Sequence, residues 1–133
     1  MRRFLAGLWL LGLALGQGLV LPFEGPKGYG LAQAFAQGLK APPPTPLALL
    51  LPDPPWRGSY ELAGGLYPKA GARLARAATG ADWVLLGREE EGGLRLILAR
   101  EGGSEERLFK TPELAWLWLQ GKGLAPRLSP LPT

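Results

Sequence analysis

The 133-residue sequence contains no cysteine, no histidine and no asparagine. The lack of cysteine excludes disulfides, thiolate metal sites, cysteine nucleophiles and anchors made by lipid-modified cysteine. The lack of histidine removes the usual general base and the commonest metal ligand. We therefore expect neither a metal ion nor a cofactor, and we expect the protein not to be an enzyme.

Net charge is also small. The formal value is +4, and it includes Arg2 and Arg3. Without these two residues, 13 basic and 11 acidic side chains remain, a balance of +2. No cluster of lysine and arginine with interleaved aromatic residues is present, so nucleic-acid binding is not expected. The few thermolabile residues and the many prolines, arginines and glutamates are typical of thermophiles, and also of GC-rich codon usage.

The first 16 residues have the pattern of a secretory signal peptide. Arg2 and Arg3 precede the apolar run Phe4 to Leu15, and the small residues Ala14 and Gly16 favour cleavage after Gly16. The spacer of a twin-arginine signal is missing, which favours the general secretory route. The sequence thus predicts export to the periplasm or cell envelope. An uncleaved membrane anchor is the alternative, because the stretch from Phe4 to Phe23 is almost wholly apolar.

The length and the hydrophobic content of 47% fit one globular domain, which we place at residues 17–120. Hydrophobic periodicity and turn residues predict the order β-α-β-α-β-β-β-α, an α/β fold whose mixed sheet has about five or six strands. The first three strands should be parallel and the last three antiparallel. Residues 121–133, rich in proline and glycine, should form a flexible tail. The predicted strands are Leu19–Phe23, Leu47–Leu51, Ala81–Arg88, Leu94–Arg100 and Arg107–Lys110; the predicted helices are Tyr29–Lys40, Lys69–Thr79 and Thr111–Gln120, with a short helical turn at Glu61–Tyr67.

Two segments resemble a known family. "LVLPFEG" before a helix, and "LARAATGADWVLLGREEEGGLRLILA" later, are similar to the amino-terminal domain of the periplasmic TolB protein and its relatives. Leu21-Pro22-Phe23 match the opening strand, and residues Gly80 to Gly87 match the entry to a hairpin. The resemblance implies an envelope domain that acts through protein contacts, and it implies no catalytic residues. The β-propeller that follows this domain in TolB is absent from the chain.

The glycine-rich turn Gly25–Gly30 could suggest a phosphate site. Leu31 and Ala32 stand where a P-loop has lysine and serine or threonine, and the glycine spacing is not that of a dinucleotide fingerprint. A strand-to-helix turn is the better interpretation. Three other candidates for chemistry are weak. Ser59 lacks a nucleophile-elbow motif and could at most pair with Lys69 or Lys27. Glu89 to Glu91 are typical of a solvated turn rather than a cation site, and an aspartate in the position of Asp82 more often hydrogen-bonds at a strand entry than acts as an acid.

The strongest binding candidate is the proline-stiffened stretch "PDPPWRGSY". It carries Asp53, Trp56, Arg57 and Tyr60, and the turn before the first helix adds Tyr29. Loops at the carboxyl ends of parallel strands often meet ligands, and Trp, Tyr and Arg are favoured at interfaces. The alternative is that Trp56 packs onto its own prolines. In the last helix, Trp116 and Trp118 are two residues apart and so point to different sides, and one of them should lie in the core. For the other, crowded core packing is favoured over exposure as a contact with another chain or a membrane surface.

These features predict an exported, non-enzymatic envelope domain that binds another envelope protein. Two alternatives stay open at this point. One is a membrane-tethered accessory subunit, and the other is a small periplasmic enzyme with carboxylate or Ser/Lys groups.

The leader gives a direct prediction. We expect the mature protein to begin at Gln17, because signal peptidase favours small residues such as Ala14 and Gly16 before the cut. Intact-mass measurement of the protein from envelope fractions checks this. A mass that retains residues 1–16 would instead show the tethered form.

Overall fold

A computed structural model describes residues 18–44, 68–127 and 129–132. In this part of the chain a mixed sheet of four strands, in the order β1-β2-β3-β4, is combined with helices, which makes an α+β fold. The strands are β1 (Leu19–Val20), β2 (Trp83–Glu90), β3 (Gly93–Arg100) and β4 (Gly103–Phe109); the helices are α1 (Gly28–Leu39), α2 (Pro68–Thr79) and α3 (Pro112–Gly121).

Strand β1 is parallel to β2 but only two residues long, shorter than predicted. Backbone N–H groups on one side of a strand recur at every second residue, but the two that donate to β2 here, Leu21 and Glu24, are three residues apart, so the regular ladder breaks at Pro22 and Phe23. The backbone still follows β2 beyond this point. The N–H of Leu21 donates to Leu85 O at 2.9 Å, and the N–H of Glu24 donates to Gly87 O at 3.0 Å. The chain therefore stays beside β2 until the turn that starts α1.

Strands β2, β3 and β4 form an antiparallel meander. The last strand begins at Gly103, earlier than the predicted Arg107, because the positive φ angles of Gly102 and Gly103 make the turn tight enough for pairing to start at once. The described residues thus give four strands, not the five or six that the sequence predicts. The predicted strand Leu47–Leu51 and the helical turn Glu61–Tyr67 lie outside the described residues.

Strand β3 is buried on both faces, whereas the alternation of its residues predicts one core face. Leu94, Leu96 and Leu98 face α1 and α3, and Ile97 and Ala99 face α2; each is at most 2% exposed. The second face is covered by α2, whose described buried residues Ala72 and Ala75 belong to the same cluster as Ile97 and Ala99. Two apolar clusters therefore lie on opposite sides of the sheet.

The larger cluster is organised by aromatic rings. Phe35 of α1 is fully buried, and its ring centroid lies 5.7 Å from that of Phe23 and 5.9 Å from that of Trp116 in α3. Tilted and edge-to-face contacts of this kind are each worth about 0.5–1.5 kcal/mol beyond the buried area. The rings thereby hold the end of the β1 segment, α1 and α3 in one unit.

The helix ends follow the predicted chemistry. Thr111 caps α3 by accepting the N–H of Leu114 at 3.2 Å, with Pro112 at the first helical position. Gly80 follows α2 with φ of 74°, and its N–H donates to Arg76 O at 2.9 Å. Helix α1 ends at Leu39, one residue before the predicted end, and Lys40 follows as its C-cap in the left-handed region with φ of 58°.

Gly28 and Gly30 allow a matched test of the turn into α1. A Cβ on Gly28 would lie 2.2 Å from the carbonyl oxygen of Phe23, so Gly28→Ala forces the backbone to move. We expect a loss of about 1–3 kcal/mol in the free energy of unfolding. A Cβ on Gly30 meets nothing within 4 Å, so Gly30→Ala should raise that free energy by about 0.5–1 kcal/mol. Urea denaturation followed by circular dichroism measures both, and effects of equal sign would contradict this account.

Candidate functional site

The turn before α1 is held by the chain's own carboxylates. The Arg88 guanidinium binds the Glu24 carboxylate, with an Nε–Oε2 distance of 3.0 Å, and the Lys27 N–H donates to the Glu89 carboxylate. Gly25 has φ of 115°, and a Cβ on it would lie 2.6 Å from Cβ of Glu89. Strand β2 and the turn are therefore locked together over this stretch.

This contact bears on the phosphate interpretation of the turn. The positive end of a helix attracts an anion, and its first N–H groups have no partner inside the helix. Here the Glu89 carboxylate takes that position by accepting the N–H of Lys27, the residue just before α1. A phosphate would have to displace this carboxylate. The turn is thus a strand-to-helix corner stabilised by an internal anion.

Of the predicted binding residues, only Tyr29 lies in the described part of the chain. It is in the first turn of α1 with its side chain 51% exposed, close to the corner held by Glu89. Asp53, Trp56, Arg57 and Tyr60 lie outside the described residues. Their grouping with Tyr29 stays a prediction.

Glu90 of β2 and Glu106 of β4 bind the same arginine of β3, Arg95. Glu90 accepts from Arg95 Nε at 2.7 Å, and the same guanidinium reaches Glu106 at 3.1 Å. The hydrogen bond from Arg95 lowers the pKa of Glu90. Since a lowered pKa favours the folded state only above the ordinary carboxyl pKa, this contribution is lost as the pH falls through the folded value. Among the described residues, no group of three acidic, histidine or cysteine side chains could hold a metal ion.

A cavity of about 690 Å³ opens at the opposite end of the sheet, where β1 begins. It contains the candidate acid Asp82, whose backbone carbonyl accepts from Arg76 Nε at 3.1 Å. Charged residues of both signs line it: Lys40, Arg76, Asp82, Arg100 and Glu101. Gly18 forms its floor against Trp83, since a Cβ on Gly18 would lie 1.8 Å from the indole. Asp82 thus lies just before β2, and the contact with α2 is made by its backbone carbonyl.

The outer face of α3 is apolar and exposed. Leu114 and Leu117, one helical turn apart, are 46% and 60% exposed. Trp116 and Leu119 lie on the opposite, buried face, so the helix is hydrophobic nearly all round. A helix with this pattern is normally buried on every side, so the exposure of Leu114 and Leu117 departs from what its composition predicts.

A groove of about 400 Å³ runs beside this face, between α3 and residues 129–131. Its walls are mainly apolar, formed by Trp116, Leu117, Pro130 and Leu131, with Glu113 at the end nearest the start of α3. The exposed leucines, Leu114 and Leu117, are contiguous with the groove, because Leu117 also lines it. We call the two together the α3 surface.

Hydrogen bonds hold the outer wall of this groove. Trp116 Nε1 donates to Ser129 O at 2.6 Å, and Gln120 Nε2 donates to Pro126 O at 2.8 Å and to Ser129 O at 2.9 Å. Leu131 packs against the larger core cluster. The sequence predicts a flexible tail over 121–133; in its described residues that tail packs along α3.

The two tryptophans of α3 take different positions, as their spacing predicts. Trp116 is 3% exposed and lies in the core. Trp118 is half-buried. Its ring centroid lies 5.3 Å from the centroid of Phe109 and 5.0 Å from the ammonium group of Lys122. Leu114 and Leu117 carry the exposed surface instead, and sequence reasoning missed them. Their spacing of three, on the side opposite Trp116 and Leu119, was the available signal.

No family model, no curated protein and no solved structure matches the chain. The resemblance to the TolB amino-terminal domain therefore stays a hypothesis. Among residues 18–44, 68–127 and 129–132, no helix is long and apolar enough to cross a membrane.

The corner held by Glu89 can be tested with phosphate. Glu89→Ala removes the acceptor of the Lys27 N–H, so we expect the free energy of unfolding to fall by about 1 kcal/mol. Because the carboxylate already occupies the helix end, inorganic phosphate at about 10 mM, roughly ten times the Kd of a weak site of about 1 mM, should leave the Tm of the wild type unchanged. Glu91→Ala, in the exposed hairpin turn, is the control. A rise in wild-type Tm with phosphate but not with sulfate would contradict the proposed corner.

Proposed function

We propose that this chain is an exported, non-enzymatic domain of the cell envelope that works by binding another protein through the α3 surface. The observation that carries the proposal is the exposure of Leu114 and Leu117 beside an apolar groove. Exposed large apolar side chains next to a preformed groove lose water when a partner covers them, and burying each one favours binding by about 1.5–3 kcal/mol at most.

The chemistry of the α3 surface indicates the kind of partner. An apolar groove along a helix accepts the apolar face of an amphipathic segment, which is a common mode of peptide recognition. Glu113 is the acidic side chain that lines the groove, at the end where α3 begins. We therefore propose a partner segment with apolar residues at helical spacing and a lysine or arginine placed to meet Glu113.

Export is part of the same proposal. Gly18, the first described residue, packs on Trp83 and lies two residues after Gly16, where cleavage is proposed. Removal of residues 1–16 would leave this contact in place. The parallel pairing of β1 with β2 is compatible with the proposed five-stranded sheet, in which Leu47–Leu51 adds a strand, and with the TolB-like hypothesis.

The loop that contains Asp53, Trp56, Arg57 and Tyr60 is a second proposed contact, together with Tyr29. Tyr29 supports it by its exposure of 51% at the start of α1. The described residues do not connect this contact with the α3 surface, so each needs its own variant.

The experiment is site-specific photo-cross-linking from position 117 in envelope fractions, with the captured protein identified by mass spectrometry. We expect one envelope protein to be captured, and we expect the Leu114→Glu variant to lose it, because a carboxylate on the surface opposes burial. In the matched control, Gln33→Glu adds the same charge to an exposed position of α1.

Three outcomes separate the possibilities. Capture that is lost with Leu114→Glu and kept with Gln33→Glu supports the α3 surface. Capture that survives Leu114→Glu but is lost with Trp56→Ala assigns binding to the proline-rich loop instead. Capture unchanged by both variants, with circular dichroism showing folded protein, contradicts both contacts.

A further inference from the structure

Strand β4 ends the sheet, and its outer edge has no partner strand within the described residues. It is seven residues long, mostly exposed, and has the sequence Gly-Ser-Glu-Glu-Arg-Leu-Phe. Charges on an edge strand normally oppose pairing with other chains. The order of these charges, however, gives the strand one favourable partner.

We propose that the β4 edge pairs with the β4 edge of a second copy of this chain, forming a symmetric antiparallel dimer with a continuous sheet. In such a pair, opposite residues must lie on the same face of the sheet. Registers that place Glu105 or Arg107 opposite itself bring like charges together. The register centred on Glu106 places Glu105 of each copy opposite Arg107 of the other, which gives two ion pairs of opposite charge.

The cross-strand neighbours of these residues agree with that register. Glu106 would face Glu106 of the second copy, but each carboxylate is already bound by Arg95, 3.1 Å away. Arg107 makes no ion pair within the described residues, and its guanidinium lies over the Phe109 ring at 5.9 Å. Dimer formation therefore brings to Arg107 the Glu105 carboxylate of the second copy, which within its own chain also binds Lys122 at 2.7 Å and Arg100 at 3.7 Å.

The ends of β4 also fit each other. In the same register, Phe109 lies opposite Gly103 of the second copy, on one face. A Cβ on Gly103 would meet nothing within 4 Å, so space is open above this glycine. Aromatic side chains placed across from an edge glycine stabilise strand pairing. On the other face, Leu108, which is 45% exposed, lies opposite Ser104. The pairing thus covers exposed apolar surface at both ends.

Charge exchange tests the register directly. Sedimentation velocity of the purified protein over a range of concentrations should show a dimer for the wild type. In the proposed register, position 105 lies opposite position 107 twice, so either Glu105→Arg or Arg107→Glu creates two pairs of like charges. Each variant should therefore raise the dimer dissociation constant at least tenfold, roughly the effect of losing two cross-strand ion pairs. The double variant E105R/R107E restores both pairs and should dimerise again.

Mixing the two single variants is the most specific test of the register. In the proposed register, the Glu105→Arg chain and the Arg107→Glu chain are complementary, so the mixture should form a heterodimer although neither variant dimerises alone. Glu91→Arg, in the exposed hairpin turn, is the control for a charge reversal elsewhere, and it should leave the dimer intact. Glu105 also binds Lys122 at 2.7 Å, so its replacement removes a contact within the chain. Circular dichroism is therefore used to check that each variant is folded.

Two results would overturn the inference. One is a wild type that stays monomeric at the highest concentration reached, which would leave the edge to another partner or to none. The other is a dimer that is unaffected by Arg107→Glu and shows no complementation on mixing, which would place the interface elsewhere on the molecule.

Discussion

The contact between Phe35, Phe23 and Trp116 is the constraint on which most of the structure depends. Phe35 is fully buried and meets one ring on each side, so α1 and α3 are positioned by the same side chain. Because Phe23 follows β1, the ring contacts also fix where the first strand leaves the sheet. The cost of truncating such a buried ring is about 3–5 kcal/mol, a large part of the stability of a small domain.

The α3 surface follows from this packing. With Trp116 turned into the core against Phe35, Leu114 and Leu117 must lie on the outer side of the helix. The same indole donates its N–H to Ser129 O, so one residue joins the core to the outer wall of the groove. The proposed partner would therefore meet a surface already ordered in the free protein, which lowers the entropic cost of binding.

Local chemistry made much of the fold predictable. Thr111-Pro112 marked the start of α3, Gly80 marked the end of α2, and the apolar alternation of Leu94 to Leu98 marked β3. Where the prediction was wrong, a contact between distant residues decided the result. The length of β4 depends on its pairing with β3, and the second buried face of β3 depends on α2. The spacing of Leu114 and Leu117 indicated a shared helix face, but which face is exposed depends on the side of α3 that meets Phe35.

The cavity beside Gly18 has a further property that follows from helix direction. Lys40 ends α1, Arg76 lies in the last turn of α2, and Gly123 follows α3, so the carboxyl ends of the three helices meet at its walls. Each end carries about half a negative charge, or roughly −1.5 in total. The cavity's three basic and two acidic side chains nearly balance this field. Its cations therefore lie where the helix dipoles favour positive charge.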